Sequence, residues 1–122
     1  MLRPLYPQMF HNLIQGSLLL KQELSSKGFE IYEPTDLGIV LFRTTDHHNM
    51  GEYKALFGSN RNVRFGKITL VTTEIGDDIY FRIVVFDPNI INYYQQFVSE
   101  LVKEYNEYAK IVNIAHDMEK IF

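Results

Sequence analysis

The chain is expected to fold as an α+β two-layer sandwich, with a small, mostly antiparallel sheet carrying helices on one face. Two observations predict it. The segments Ile68 to Glu74 and Ile79 to Val85 are strand-like runs separated by Ile75-Gly76-Asp77-Asp78, a spacing suited to a hairpin. On either side of the strand-like segments lie stretches with apolar residues at helical intervals, one near each end of the chain.

The first helix is predicted from about Gln8 to Ser25, with Met9, Phe10, Leu13, Leu20 and Leu24 at helical spacing and Lys27-Gly28 as its stop. Gly16-Ser17 weakens its middle and allows close packing against another backbone. Phe29-Glu30-Ile31-Tyr32-Glu33 alternates and ends at Pro34, which makes it a short strand. Leu37-Gly38-Ile39-Val40-Leu41-Phe42-Arg43 is almost continuously apolar and is predicted as a buried strand. The polar Thr44 to Asn49 segment forms a loop before a short helix from about Met50 to Phe57, stopped at Gly58. From Asn89, taken as the N-cap, Tyr94, Phe97, Val98, Leu101, Val102, Tyr105, Tyr108, Ala109 and Val112 recur at steps of three and four, a long amphipathic helix.

At 122 residues the chain has the length of a single domain, assigned to residues 1–122. Apolar residues at 46% and charged residues at 22% match an ordinary globular protein and argue against disorder. The net charge of -3, with Lys and Arg dispersed, leaves no electrostatic footprint for nucleic acid or an anionic membrane. The absence of cysteine removes disulfides, thiolate metal sites and cysteine nucleophiles. No apolar run approaches the roughly 20 residues needed to span a bilayer, and Met1-Leu2-Arg3-Pro4 does not begin a signal peptide, so a cytoplasmic protein is expected.

The most informative stretch is Ile79-Tyr80-Phe81-Arg82-Ile83-Val84-Val85-Phe86-Asp87-Pro88, apolar on both strand faces with one arginine in its middle. Alternation groups Ile79, Phe81, Ile83 and Val85 on one face, where the two long helices are expected to pack, and Tyr80, Arg82 and Val84 on the other. That second face lacks a cover. It is expected to present Tyr80, Arg82 and Val84 together with Val40 and Phe42, or the residues alternate to them, as an interface for a missing domain or a second copy. A guanidinium keeps its proton, so Arg82 requires a carboxylate, a phosphate or water. Two readings stay open for it, an ion pair to a neighbouring strand acid such as Glu74 and a ligand-binding role.

Other polar groups carry weaker signals. Asp46-His47-His48 has donors for a metal or a general base, but adjacent loop side chains diverge and no third ligand sits at a typical spacing, so it is read as a solvated loop. His11 and His116 are single helix residues. Gly58 to Lys67 combines glycines with Arg61, Arg64 and Lys67, an arrangement that would suit an anion; it matches no phosphate-loop pattern and follows a helix C-terminus, where the dipole favours cations. No serine has an adjacent base and orienting group, so no catalytic residue is assigned.

Gly28-Phe29-Glu30-Ile31, Leu37 to Arg43, Ile79 to Pro88 and the final amphipathic helix, taken in order over roughly residues 8 to 108, resemble the C-terminal small domain of the pyridoxal-phosphate-dependent group II amino-acid decarboxylases. The aromatic-amino-acid, tyrosine, histidine and glutamate decarboxylases belong to that family. The resemblance implies the small domain of a fold-type I enzyme, docked on a large cofactor-binding domain in a dimer with active sites near the subunit boundary. It also implies that Arg82 corresponds to the arginine that glutamate-decarboxylase-like members turn toward the substrate carboxylate, a task suited to a bidentate guanidinium.

The sequence departs from that family in what it lacks. There is no large domain and no histidine-lysine pair for the Schiff base; Asp87-Pro88 continues with Asn89, and Lys54, Lys67 and Lys103 lie in surface-like contexts. The chain alone is therefore expected neither to bind pyridoxal phosphate nor to decarboxylate anything, and to be a stand-alone or truncated domain that meets a large domain or itself. The alternatives are a small α+β interaction module that homodimerises through its sheet face, and a small-anion binder using Arg61, Arg64 and Lys67.

Overall fold

Residues 5–35, 38–59 and 70–121 are described by the computed structural model. The first helix, α1 (Leu5–Ser26), buries Leu20 and Leu24 completely, one helical turn apart. It ends where Gly28 takes φ 96°, with Phe29 N–H donating to Leu24 O at 3.1 Å and Gly28 N–H to Ser25 O at 3.0 Å. This pairing satisfies two helix-end carbonyls through a left-handed residue that glycine adopts without steric cost.

Four strands follow: β1 (Glu30–Tyr32), β2 (Ile39–Arg43), β3 (Leu70–Ile75) and β4 (Asp78–Val84). They form an antiparallel sheet in the order β1-β2-β4-β3. The β3–β4 hairpin has a tighter turn than its spacing implied, because Ile75 and Asp78 are already paired and only Gly76-Asp77 form the loop. Gly76 supplies φ 63° at the first loop position while Asp77 keeps a negative φ, the pattern of a type II′ turn that matches strand twist.

Register decides the faces. Val40 pairs with Ile83 and Phe42 with Phe81, and all four are at most 1% exposed beneath the helices. The expected placement of Val40 and Phe42 on the open face is therefore corrected: both are core residues, and Ile39, Leu41 and Arg43 occupy the opposite side. Three consecutive apolar residues, Val40-Leu41-Phe42, carry no alternation that would reveal which side faces inward.

A 3-10 turn at His47–Asn49 leads into α2 (Met50–Ser59), whose Met50, Tyr53 and Phe57 are buried. Phe57 packs edge-on against Phe81 and Tyr108, with ring centroids at 5.1 and 4.7 Å. The last helix, α3 (Tyr94–Ile121), buries Phe97, Val98, Leu101, Tyr108 and Val112. It starts at Tyr94, more than a turn beyond the expected Asn89 cap. Asp87 caps instead, accepting the Asn89 N–H at 3.0 Å at the head of a second 3-10 turn, Pro88–Asn92. That turn is held against α1 by Ile90, which lies over Gly16.

The helices share one face of the sheet with the buried cluster of Leu20, Leu24, Phe42, Tyr53, Phe81, Ile83, Phe97 and Leu101. The α+β two-layer architecture expected from the sequence is thus the one observed. None of the helices among the described residues is long and apolar enough to cross a membrane.

Candidate functional site

The sheet face opposite the helices is ordered in rows by strand pairing. Glu30, Arg43, Tyr80 and Thr73 form one row across β1, β2, β4 and β3; Tyr32, Leu41, Arg82 and Val71 form the next; Ile39 and Val84 follow. Arg82 thus sits between Leu41 and Val71 on its flanking strands, with Tyr80 and Val84 before and after it on its own.

In the first row Glu30, Arg43 and Tyr80 engage one another. Arg43 Nε donates to Glu30 Oε2 at 2.7 Å, its Nη1 lies 3.6 Å from Asp78 Oδ1, and its guanidinium stacks 5.1 Å above the Tyr80 ring. The hydrogen bond to Glu30, opposed by desolvation and aided by the charges of Tyr80, Glu30 and Asp78, raises the Arg43 pKa above its ordinary value. Tyr32 meets Tyr80 edge-on at 5.2 Å. Tyr80, expected as an interface residue, lies on the open face but is 7% exposed because these neighbours cover it.

Arg82 is the opposite case. It is exposed and has no ion pair or hydrogen bond among the described residues. Glu74 pairs with Ile79 and so lies on the helix side, which removes the expected Glu74 ion pair by geometry. Arg82 borders an open cavity of about 400 Å³ lined also by Pro34, Thr35, Ile39, Leu41, Thr73 and Ile75. The Pro34-Thr35 rim is anchored from α1: Lys21 Nζ donates to Thr35 Oγ1 at 3.0 Å and pairs with Glu33 at 3.0 Å, while Thr35 Oγ1 donates to Ile39 O at 2.9 Å. Val84, at 41% exposed, and Val71, at 37%, extend an apolar surface around the guanidinium. Val84 is placed as expected.

Chemically, the site offers one cation amid apolar walls and threonine hydroxyls. That suits a carboxylate on an apolar body or on a docking surface. It does not fit pyridoxal phosphate by itself, since among the described residues no lysine lines the cavity and Arg82 is the only cation there. Arg61, Arg64 and Lys67 lie outside the described residues.

Asp46 has a different use from the one its sequence neighbours suggested. Its carboxylate accepts from Tyr53 Oη at 2.7 Å, Tyr105 Oη at 3.0 Å and Asn49 Nδ2 at 3.2 Å. Burial pushes its pKa up, but hydrogen bonds from Tyr53, Asn49, Thr44 and Tyr105 outweigh that and hold it below the usual value. Burial, then the Asp46 hydrogen bond, raises the Tyr53 hydroxyl pKa. His47 and His48 are exposed to solvent. Sequence reasoning missed this cluster; the available signal was two tyrosines at core positions, each with a hydroxyl needing an acceptor.

No protein-family model matches the sequence, and no curated protein matches it.

Proposed function

We propose that this chain is a docking domain of the pyridoxal-phosphate-dependent amino-acid decarboxylase type, not catalytic alone, whose open sheet face seats on a cofactor-carrying large domain and contributes Arg82 to a composite site. The supporting observation is Arg82 itself, which has no partner among the described residues and stands at the rim of an open cavity of apolar walls and threonine hydroxyls on the sheet face opposite the helices. Arginine within an otherwise apolar patch is a common anchor of protein interfaces, and its fork geometry holds a carboxylate through two parallel hydrogen bonds. The cofactor chemistry belongs to the partner. This chain's part is to orient a carboxylate and keep water from it.

The rival reading, a module that homodimerises face to face, is less favourable. A two-fold axis near the centre of that face would oppose Arg82 to its own copy, a like-charge contact in a poorly solvated interface.

The test is reconstitution with a large domain of that decarboxylase family, followed by decarboxylation kinetics. Loss of kcat/KM of at least about tenfold for Arg82→Ala, with complex formation retained, supports the composite site. Unchanged kinetics in a functional complex refutes it.

A further inference from the structure

The sheet has two unlike edges. On one side β1 has only three residues, and its Glu30 is held by Arg43. On the other, β3 presents six residues, Leu70–Ile75, with no strand partner beyond β4 among the described residues. This edge strand contains no proline, lysine or arginine, the residues that commonly protect a sheet edge from pairing.

The geometry points to an antiparallel dimer in which β3 pairs with β3 of a second copy about a two-fold axis through Thr73. Residues opposite one another must lie on the same side of the sheet, so only registers that pair odd positions with odd and even with even are allowed. Centring on Thr73 sets Val71 against Ile75 of the other copy on the open face and Thr72 against Glu74 on the helix side. Centring on Glu74 would oppose two carboxylates, and centring on Thr72 would place Glu74 against Leu70. Of these three, the Thr73 register alone avoids both conflicts.

A second feature supports pairing along this edge. A cavity of about 340 Å³ beside β3 is lined by Lys54, Phe57, Leu70, Val71, Thr72 and Phe81. Lys54 and Glu74 are both exposed, and neither has an ion pair among the described residues. With Glu74 of the second copy opposite Thr72, its carboxylate enters the neighbourhood of Lys54, and the symmetry repeats the pair. Lys54 and Glu74, unpaired among the described residues of each chain, become two reciprocal ion pairs across the axis. The resulting eight-stranded sheet leaves both Arg82 faces free on the same side, so this inference stands independently of the docking role proposed above.

The native chain contains no cysteine, which makes directed cross-linking clean. Opposed residues on adjacent strands have Cα atoms about 4.5–5.5 Å apart, within the range a disulfide spans. Under mild oxidation the Thr73→Cys variant is expected to give a covalent dimer, and the Thr72→Cys variant is not. In sedimentation experiments Glu74→Lys and Lys54→Glu should each weaken self-association by about tenfold, and the double charge swap should restore it. Arg82→Ala should leave it unchanged. Three results overturn the proposal: a wild-type chain that stays monomeric throughout the micromolar range, cross-linking of the Thr72→Cys variant but not of Thr73→Cys, or a double swap that fails to restore association.

Discussion

Tyr105 of α3 donates its hydroxyl hydrogen to Asp46 at 3.0 Å, joining the β2–α2 connection to a helix 59 positions later in the chain. The same carboxylate receives Tyr53, which is fully buried. One acid therefore ties together two helices and the loop that enters the second layer.

Replacing that acid should be costly. Asp46→Ala leaves the Tyr53 hydroxyl without its acceptor, and a stability loss of about 2–3 kcal/mol is expected by chemical denaturation. Because folding depresses the Asp46 pKa, its contribution is present above the unfolded value near 3.8 and is lost as pH falls through the lower folded value. The wild-type Tm should therefore fall faster below about pH 4 than that of Asp46→Asn, whose amide does not titrate. Parallel pH profiles for the two proteins would contradict this account.

Gly16→Ala presents a test of sign. In an exposed helix the change would stabilise by about 1 kcal/mol, but a Cβ at Gly16 would fall on the Ile90 Cγ2 methyl. Overpacking should win, with a loss of about 1–3 kcal/mol. Combining it with Ile90→Ala should cost less than the sum of the two single changes, a coupling readable in a double-mutant cycle.

The two open-face arginines should behave differently. Arg43→Ala removes a hydrogen-bonded ion pair and the cover over Tyr80, with an expected loss of about 1–2 kcal/mol. Arg82→Ala should fall within about 0.5 kcal/mol of wild type, because no partner among the described residues is lost. A large destabilisation by Arg82→Ala would indicate a structural role and weaken the case for a docking site.

Neighbouring apolar residues of the sheet should also divide. Phe42→Ala opens a cavity in the core between Phe29 and Phe81 and should cost about 3–5 kcal/mol. Val84→Asp, on the exposed face, should leave the Tm nearly unchanged while abolishing the proposed docking to a large domain. Thermal melts of both variants, with a binding assay for the second, check the assignment of faces.

Much of the architecture is legible in the sequence because it rests on periodicity. Leu20 and Leu24, the Phe97 to Val112 series and the alternation of β4 each declare a buried side from local spacing, since helices and strands repeat at 3.6 and 2 residues. The Gly76-Asp77 turn declares its hairpin. The start of the final helix is less legible because Asp87 and Asn89 are both competent caps, and the choice between them depends on a 3-10 turn packed against Gly16.

Local pattern was enough to set the order of elements, the core-facing side of β4 and the presence of a lone arginine on its other side. It could not orient Val40-Leu41-Phe42, because that uniformly apolar run takes its inward side from pairing with β4. Nor could it tell which arginine is satisfied, a question of which strands become neighbours. Pairing places Glu30 and Asp78 within reach of Arg43 and turns Glu74 to the far side of the sheet, so the arginine left without a partner among the described residues is Arg82.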